Sequence, residues 1–245
     1  MERTKKMQTT KYKIAMFGVL ALFFLSLGLL NSPAYSSPIS PTVDTFVNDS
    51  ATSDSYGTST DLYVGRLKVL TFNSLYRSFL KFDLSSIPDG STVTSAELKL
   101  YCKNPVGSQN YEAHHVASDS SITDSMTWSS QPSVGLTFLD TQYISPSDTG
   151  WISWNLLSSS NWNYAGDLTD DFFSVRLIRS NETTNVNIYA VFHSMENTSG
   201  DTYDPFLEIG YMAVPVPASI LLLLSGLAGI AWIRKRLERY HFRDI

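Results

Sequence analysis

The sequence predicts an all-β domain, an antiparallel β-sandwich of jelly-roll-like form, with an N-terminal signal-peptide helix before it and a C-terminal single hydrophobic helix after it. Three observations predict this. Apolar and polar residues alternate strictly in several short runs, which puts one side of each run in a core and the other outside. Clusters of Ser, Asn, Asp, Gly and Pro separate the runs, as turns do. Inside 37–211 no stretch of 12 residues keeps a helical period, so apolar surface has to be buried by strands packed face to face.

The first element is the leader. Met1 to Lys13 carries Arg3, Lys5, Lys6, Lys11 and Lys13 against the single acid Glu2, then runs into the apolar stretch Ile14 to Leu30. The small residues of Asn31-Ser32-Pro33-Ala34-Tyr35-Ser36 come next. A cationic start, an apolar middle and a small-residue exit describe a secretory signal peptide over 1–36, with cleavage after Ala34 or Ser36. An uncleaved signal anchor is the alternative, and either one exports the middle of the chain. Asn31 to Pro41 is a Ser/Pro-rich tether.

Residues 37–211, 175 in all, are enough for one well-buried domain. The alternating runs are Ser78 to Leu84, Ala96 to Cys102, Ile152 to Leu156, Phe173 to Leu177 and Val186 to Ala190. Leu156 to Tyr164 is the one stretch with room for a helical turn or two. The region holds 8 Lys and Arg against 20 Asp and Glu, a net of −12, whereas the whole chain is only −5. So acidic a domain does not bind nucleic acid by neutralising phosphates; its carboxylates suit solubility in a salty exterior or calcium coordination. Cys102 is the one cysteine, so no disulfide staples the fold. It shares a strand face with Ala96, Leu98 and Leu100 and reads as a small buried hydrophobe.

The last element is 212–245. Val214-Pro215-Val216-Pro217-Ala218-Ser219 leads into the apolar run Ile220 to Ile233, which Arg234-Lys235-Arg236 closes. Ala218 to Ile233 is sixteen residues, short of the roughly 20 of a comfortable span. A Pro-rich hinge, a short apolar helix and a basic stop halt in a membrane with the cationic end in the cytoplasm. This pattern resembles the PEP-CTERM sorting signal of exopolysaccharide-making Gram-negative bacteria, as a V-P-V-P-A-S variant with Val216 where the family usually has an acid. The resemblance implies an exosortase-type processing protease as a partner, cleavage near Pro217, and only a transient stay in the inner membrane. The alternative is an ordinary C-terminal anchor.

A second resemblance lies in the middle. Arg77-Ser78-Phe79-Leu80-Lys81-Phe82-Asp83-Leu84-Ser85-Ser86-Ile87-Pro88, continued by Val93 to Tyr101, resembles the DNRLRE-type β-sandwich domain, which overlaps with alginate-type carbohydrate-binding modules. Val43 to Val47, Tyr56 to Gly65, Thr127-Trp128, Trp151 to Leu156 and Pro205 to Ile209 fall in the family's order. The match spans roughly 42–211. The naming hexapeptide is absent, and Asp204 stands where a basic residue often precedes the proline.

The chemistry the residues favour is binding. His114, His115 and His193 are the exported histidines, and none sits in a metal or triad spacing. No nucleophile elbow, zinc helix or Gly-rich phosphate loop occurs. Alternation turns Trp151 outward from Ile152, Trp154 and Leu156, turns Tyr101 outward beside Lys99 and Glu97, and turns Arg77, Phe79 and Lys81 outward on a neighbouring strand. One face with Trp151, Tyr101, Arg77 and Lys81 suits a polysaccharide, an acidic one included. The alternative is that these aromatics are covered by loops or pair across strands. Trp128 and Trp162 read as loop anchors. Asp44, Asp49, Asp54 and Asp204 are the candidate ligands for a structural calcium, against the alternative of solvated loop carboxylates. Asn48, Asn181 and Asn197 open coincidental Asn-x-Ser/Thr triplets. The expectation is therefore an exported, non-catalytic protein of the cell surface or extracellular matrix that binds polysaccharide. The alternatives are a structural or adhesive surface protein contacting protein or itself, and a polysaccharide lyase or hydrolase.

Overall fold

Alternation becomes strand wherever one face can be buried, and the two most regular runs lie in the two longest strands. In a computed structural model, residues 34–200 and 202–213 are described, with the single positions Leu223, Gly226 and Leu227. The leader run Ile14 to Leu30 lies outside the described residues, as does Ile220 to Ile233 apart from those single positions. The sorting residues Val214, Pro215, Pro217, Ala218, Ser219, Arg234, Lys235 and Arg236 lie outside them too. No helix among the described residues is long and apolar enough to cross a membrane.

The strands are β1 (Ala34–Ile39), β2 (Pro41–Asn48), β3 (Asp61–Val69), β4 (Phe72–Asp83), β5 (Thr92–Val106), β6 (Gln109–Val116), β7 (Leu136–Ile144) and β8 (Gly150–Asn155). After the helix α1 (Tyr164–Asp170) come β9 (Phe172–Arg179), β10 (Ile188–His193) and β11 (Phe206–Met212). All eleven join one sheet in the order β1-β11-β5-β10-β3-β4-β9-β6-β7, with β2 added on β4 and β8 on β5. Every pairing is antiparallel, so the all-β, antiparallel prediction is borne out. β1 takes in Ala34, Tyr35 and Ser36, which the sequence reading places in the leader.

Length lets β4 and β5 curl the sheet. β5 pairs with β11 along Thr92 to Lys99, with β10 along Cys102 to Val106, and with β8 along Glu97 to Cys102. β4 pairs in the same way with β3 along Phe72 to Tyr76, with β2 along Tyr76 to Phe82, and with β9 along Ser78 to Asp83. The curled sheet closes on one core, to which Leu98 and Leu100 of β5, Leu80 and Phe82 of β4, Trp154 of β8, Phe173 and Val175 of β9 and Phe192 of β10 all contribute. Trp154 is fully buried, and its indole N–H donates to the Tyr111 carbonyl of β6 at 3.0 Å. That bond ties the β5 half to the β9 half and satisfies the only polar atom the ring brings in. Cys102 is sealed in the core, as expected, and burial pushes its thiol up to about 11.

A second, smaller core lies on the outer side of β4. Phe79 and Val47 pack there with Val116, Ile122 and Met126, beside Trp128 and Leu136. The segment between β6 and β7, which includes a 3-10 turn at Asp119–Ser121, supplies the lid. The helical turns fall at Tyr164–Asp170, later than the sequence suggests, because Leu156 is spent in the core at the end of β8. α1 buries Leu168 and stops where Asp171 turns left-handed at φ 66.

Candidate functional site

Inward residues fix which ones remain outside. With Leu98, Leu100 and Cys102 of β5 in the core, Glu97, Lys99, Tyr101 and Lys103 point out; on β8 the same rule turns out Trp151 and Ser153. Register then makes Tyr101 and Trp151 direct partners, and sets Lys99 opposite both Ser153 and Phe206. An aromatic strip results. Trp151 meets Tyr101 edge-on at 5.5 Å and Phe206 at 5.1 Å. Tyr101 continues to Tyr203 at 4.3 Å and His193 at 5.7 Å, and His193 stacks on Tyr203 at 5.3 Å. Trp151 remains 44% exposed.

A polar strip runs beside it. Lys99 Nζ donates to Glu208 Oε2 at 2.7 Å and lies 3.3 Å from Glu97 Oε2, which also accepts from Ser153 Oγ at 3.0 Å. The bond to Glu208 raises the Lys99 ammonium and lowers the Glu208 carboxyl, so both stay charged at neutral pH. At the other end Lys103 pairs with Asp61. Burial, then nearby Lys103, pushes the His193 imidazole down. Flat rings flanked by fixed donors and acceptors form a surface that takes a sugar ring on its apolar face and orients its hydroxyls.

Two of the four ligand residues expected from the sequence, Trp151 and Tyr101, meet here. Arg77 and Lys81 do not. They point outward from β4, in the other half of the curl, with β10 and β3 between β5 and β4 in the sheet order. Arg77 lies 4.6 Å over the Trp128 ring and holds Glu182 through Nε and Nη2, while Lys81 lies 4.2 Å over Phe172. Phe79, expected on the same open face, is fully buried in the second core. Tyr203, Phe206 and His193 are members the sequence reading did not assign. The alternation of Phe206, Leu207, Glu208 and Ile209 marks Phe206 as outward; Tyr203 stands in a loop and carries no such signal.

The four calcium candidates also divide. Asp44 is 1% exposed; its Oδ2 accepts the Met195 N–H at 2.8 Å and its Oδ1 has no hydrogen-bond partner. Burial pushes its carboxyl up to about 8, against the Met195 amide, and the charges of Glu196 and Asp204 add to the rise. Asp44 and Asp204 therefore share one end of the domain, where the Asn197 side-chain amide donates to Asp204. Asp49 is elsewhere, accepting the Leu75 N–H at 2.7 Å, and Asp54 sits exposed in a turn. Among the described residues no three His, Cys, Asp or Glu side chains are grouped so as to hold a metal ion. Trp162 anchors its loop as expected, with its indole N–H on Asp167 at 2.6 Å.

The model of carbohydrate-binding module family 96 matches residues 35–209, which take in every strand except the ends of β1 and β11. The carbohydrate-binding part of the resemblance read from the sequence is borne out by that match. No curated protein matches the chain.

Proposed function

The chain belongs to carbohydrate-binding module family 96, and we propose that it is an exported, non-catalytic protein whose jelly-roll-like sandwich holds polysaccharide on the Trp151–Tyr101 strip. A carbohydrate-binding module is non-catalytic by itself. The observation that carries the reading is Trp151, a large ring 44% exposed near the start of β8 and braced edge-on by Tyr101 and Phe206. An exposed aromatic group of this size marks a contact surface. The cationic leader and the V-P-V-P-A-S tail support export, passage through the inner membrane, processing by an exosortase-type protease and residence at the cell surface or in the extracellular matrix. Of the four calcium ligands expected, only Asp44 and Asp204 come near one another, and a fall in melting temperature on adding a chelator at pH 9, where Asp44 has lost its proton, tests the ion.

Affinity electrophoresis of the whole chain through gels containing neutral or acidic polysaccharide tests the binding. Trp151→Ala weakens retention by the neutral polysaccharide by about 2 kcal/mol, roughly thirtyfold, as truncation of a central aromatic anchor does. Passage unretarded through every polysaccharide defeats the reading. A second reading, a structural or adhesive protein that contacts itself, is favoured by the β3–β4 hairpin tip. There Leu70 is 96% exposed at φ 52, between Val69 and Phe72, which are 53% and 45% exposed. Concentration-dependent sedimentation that Leu70→Asn abolishes supports this reading.

A further inference from the structure

The outer face of β4, β9 and β6 carries a set of charges that the aromatic strip does not use. β9 buries Phe173, Val175 and Leu177, so Arg176 points away from the core, opposite Phe79 on one side and His114 on the other. Three bases meet two acids there. Arg77 is committed to Glu182 through Nε at 2.9 Å and through Nη2, and to Gln131 through Nη1 at 3.0 Å. His114 is committed to Glu112 at 2.9 Å. Arg176 is left over. It is 8% exposed, its Nε is buried with no acceptor, and no hydrogen bond or ion pair among the described residues reaches its guanidinium.

A charged fork this nearly buried is costly to the fold, because its Nε has given up water without an acceptor in return. Burial, followed by the neighbouring Arg77, pushes it down to about 10 against the weaker pull of Glu182 and Glu112, which leaves it charged at neutral pH. Rings lie against its two neighbouring bases, Arg77 and His114. Trp128 lies under Arg77, and Phe138, 38% exposed, meets His114 edge-on at 5.7 Å. A guanidinium matches a carboxylate in a planar, bidentate geometry, and weak local screening strengthens the bond.

We propose that this face is a second glycan contact, in which Arg176 takes the carboxylate of an acidic sugar unit while Trp128 and Phe138 flank its ring. The inference rests on the polysaccharide-binding reading above and makes the domain two-sided. The outer faces of the β5 and β9 halves look away from one shared core, so one chain contacts two polysaccharide strands.

The test separates the faces with the whole chain and two gel matrices, polygalacturonate and a neutral glucan. Trp151→Ala loses the neutral glucan and keeps retention by polygalacturonate. Adding Arg176→Gln to that variant weakens retention by polygalacturonate at least tenfold. Arg176→Lys, which keeps the charge but not the fork, weakens it less and serves where the Gln variant melts early. The inference is overturned if Arg176→Gln and Arg176→Lys, both folded by their melting curves, leave retention unchanged in the Trp151→Ala background. It is also overturned if Trp151→Ala alone abolishes retention by polygalacturonate, an outcome that leaves the first contact surface standing. Retention of wild type by neither matrix defeats both readings.

Discussion

At Asp44 burial disfavours the charged carboxylate, Glu196 and Asp204 add their repulsion, and the fold relieves both with a proton. Held at about 8, the folded group stays protonated over the range in which the unfolded chain, with its carboxyls near 4, has already lost the proton. The folded state then binds more protons than the unfolded state, so this residue's contribution to stability is full below the ordinary carboxylate range. It is lost as pH rises through about 8. The melting temperature of wild type therefore falls between pH 5 and 9. Asp44→Asn keeps an oxygen for the Met195 amide but has nothing to titrate, and its melting temperature is flatter over that interval. Thermal melts of the two proteins across the range decide it: parallel curves sink the assignment. Calcium added at pH 9 raises the melting temperature of wild type and not of Asp44→Asn if a cation takes the proton's place.

Elements differ in how plainly the sequence announces them, and the reason is periodicity. β4 and β5 are readable because Leu80 and Phe82, and Leu98, Leu100 and Cys102, keep period 2 on the core face. β6 and β7 are not. In β6 Tyr111, Ala113 and His115 stay on one face in unbroken register with β9, but His115 is polar and hides the period; it is buried and stacks on Phe173 at 5.8 Å. In β7 the residues that reach the main core, Leu139 and Ile144, are five apart. The site obeys the same logic. Alternation identifies Trp151 and Tyr101 as outward, but it tells the side of a strand and not the half of the curl, so it joins Arg77 and Lys81 to a face they do not share. Tyr203 enters only because the loop after β10 folds back over Tyr101. Close packing of elements also leaves a mark at Gly65, where φ is 108 and an added Cβ would stand 2.6 Å from the Ile188 carbonyl oxygen of β10. Gly65→Ala meets both a disfavoured backbone conformation and an immovable neighbour. It costs roughly 3 kcal/mol, read as an earlier midpoint in chemical unfolding; a midpoint within error of wild type would show that β3 and β10 give way there.

For the whole molecule the charges divide by destination. The basic residues gather at the two ends, and the domain between them is left with 8 against 20, net −12, so contact with polysaccharide falls to rings and a few placed cations. Both ends read as delivery segments, and the fold bears on where the leader is cut. β1 pairs along β11 in six positions, and Ala34, Tyr35 and Ser36 make three of them. Tyr35 stacks on Tyr211 at 5.5 Å and Ser36 Oγ donates to Glu208, which in turn holds Lys99 beside the aromatic strip. A cut after Ser36 removes half of that ladder and both contacts, whereas a cut after Ala34 keeps Tyr35 as the first residue. We therefore expect a mature protein that begins at Tyr35 and ends near Pro217, recovered from the cell surface or medium. Intact-mass measurement of that fraction checks both ends at once. Replacing Arg234, Lys235 and Arg236 with Gln removes the basic stop, and the processed form should then disappear from the surface fraction. A surface protein that retains its basic tail overturns the processing, and one that begins at Ser37 overturns the role given to β1.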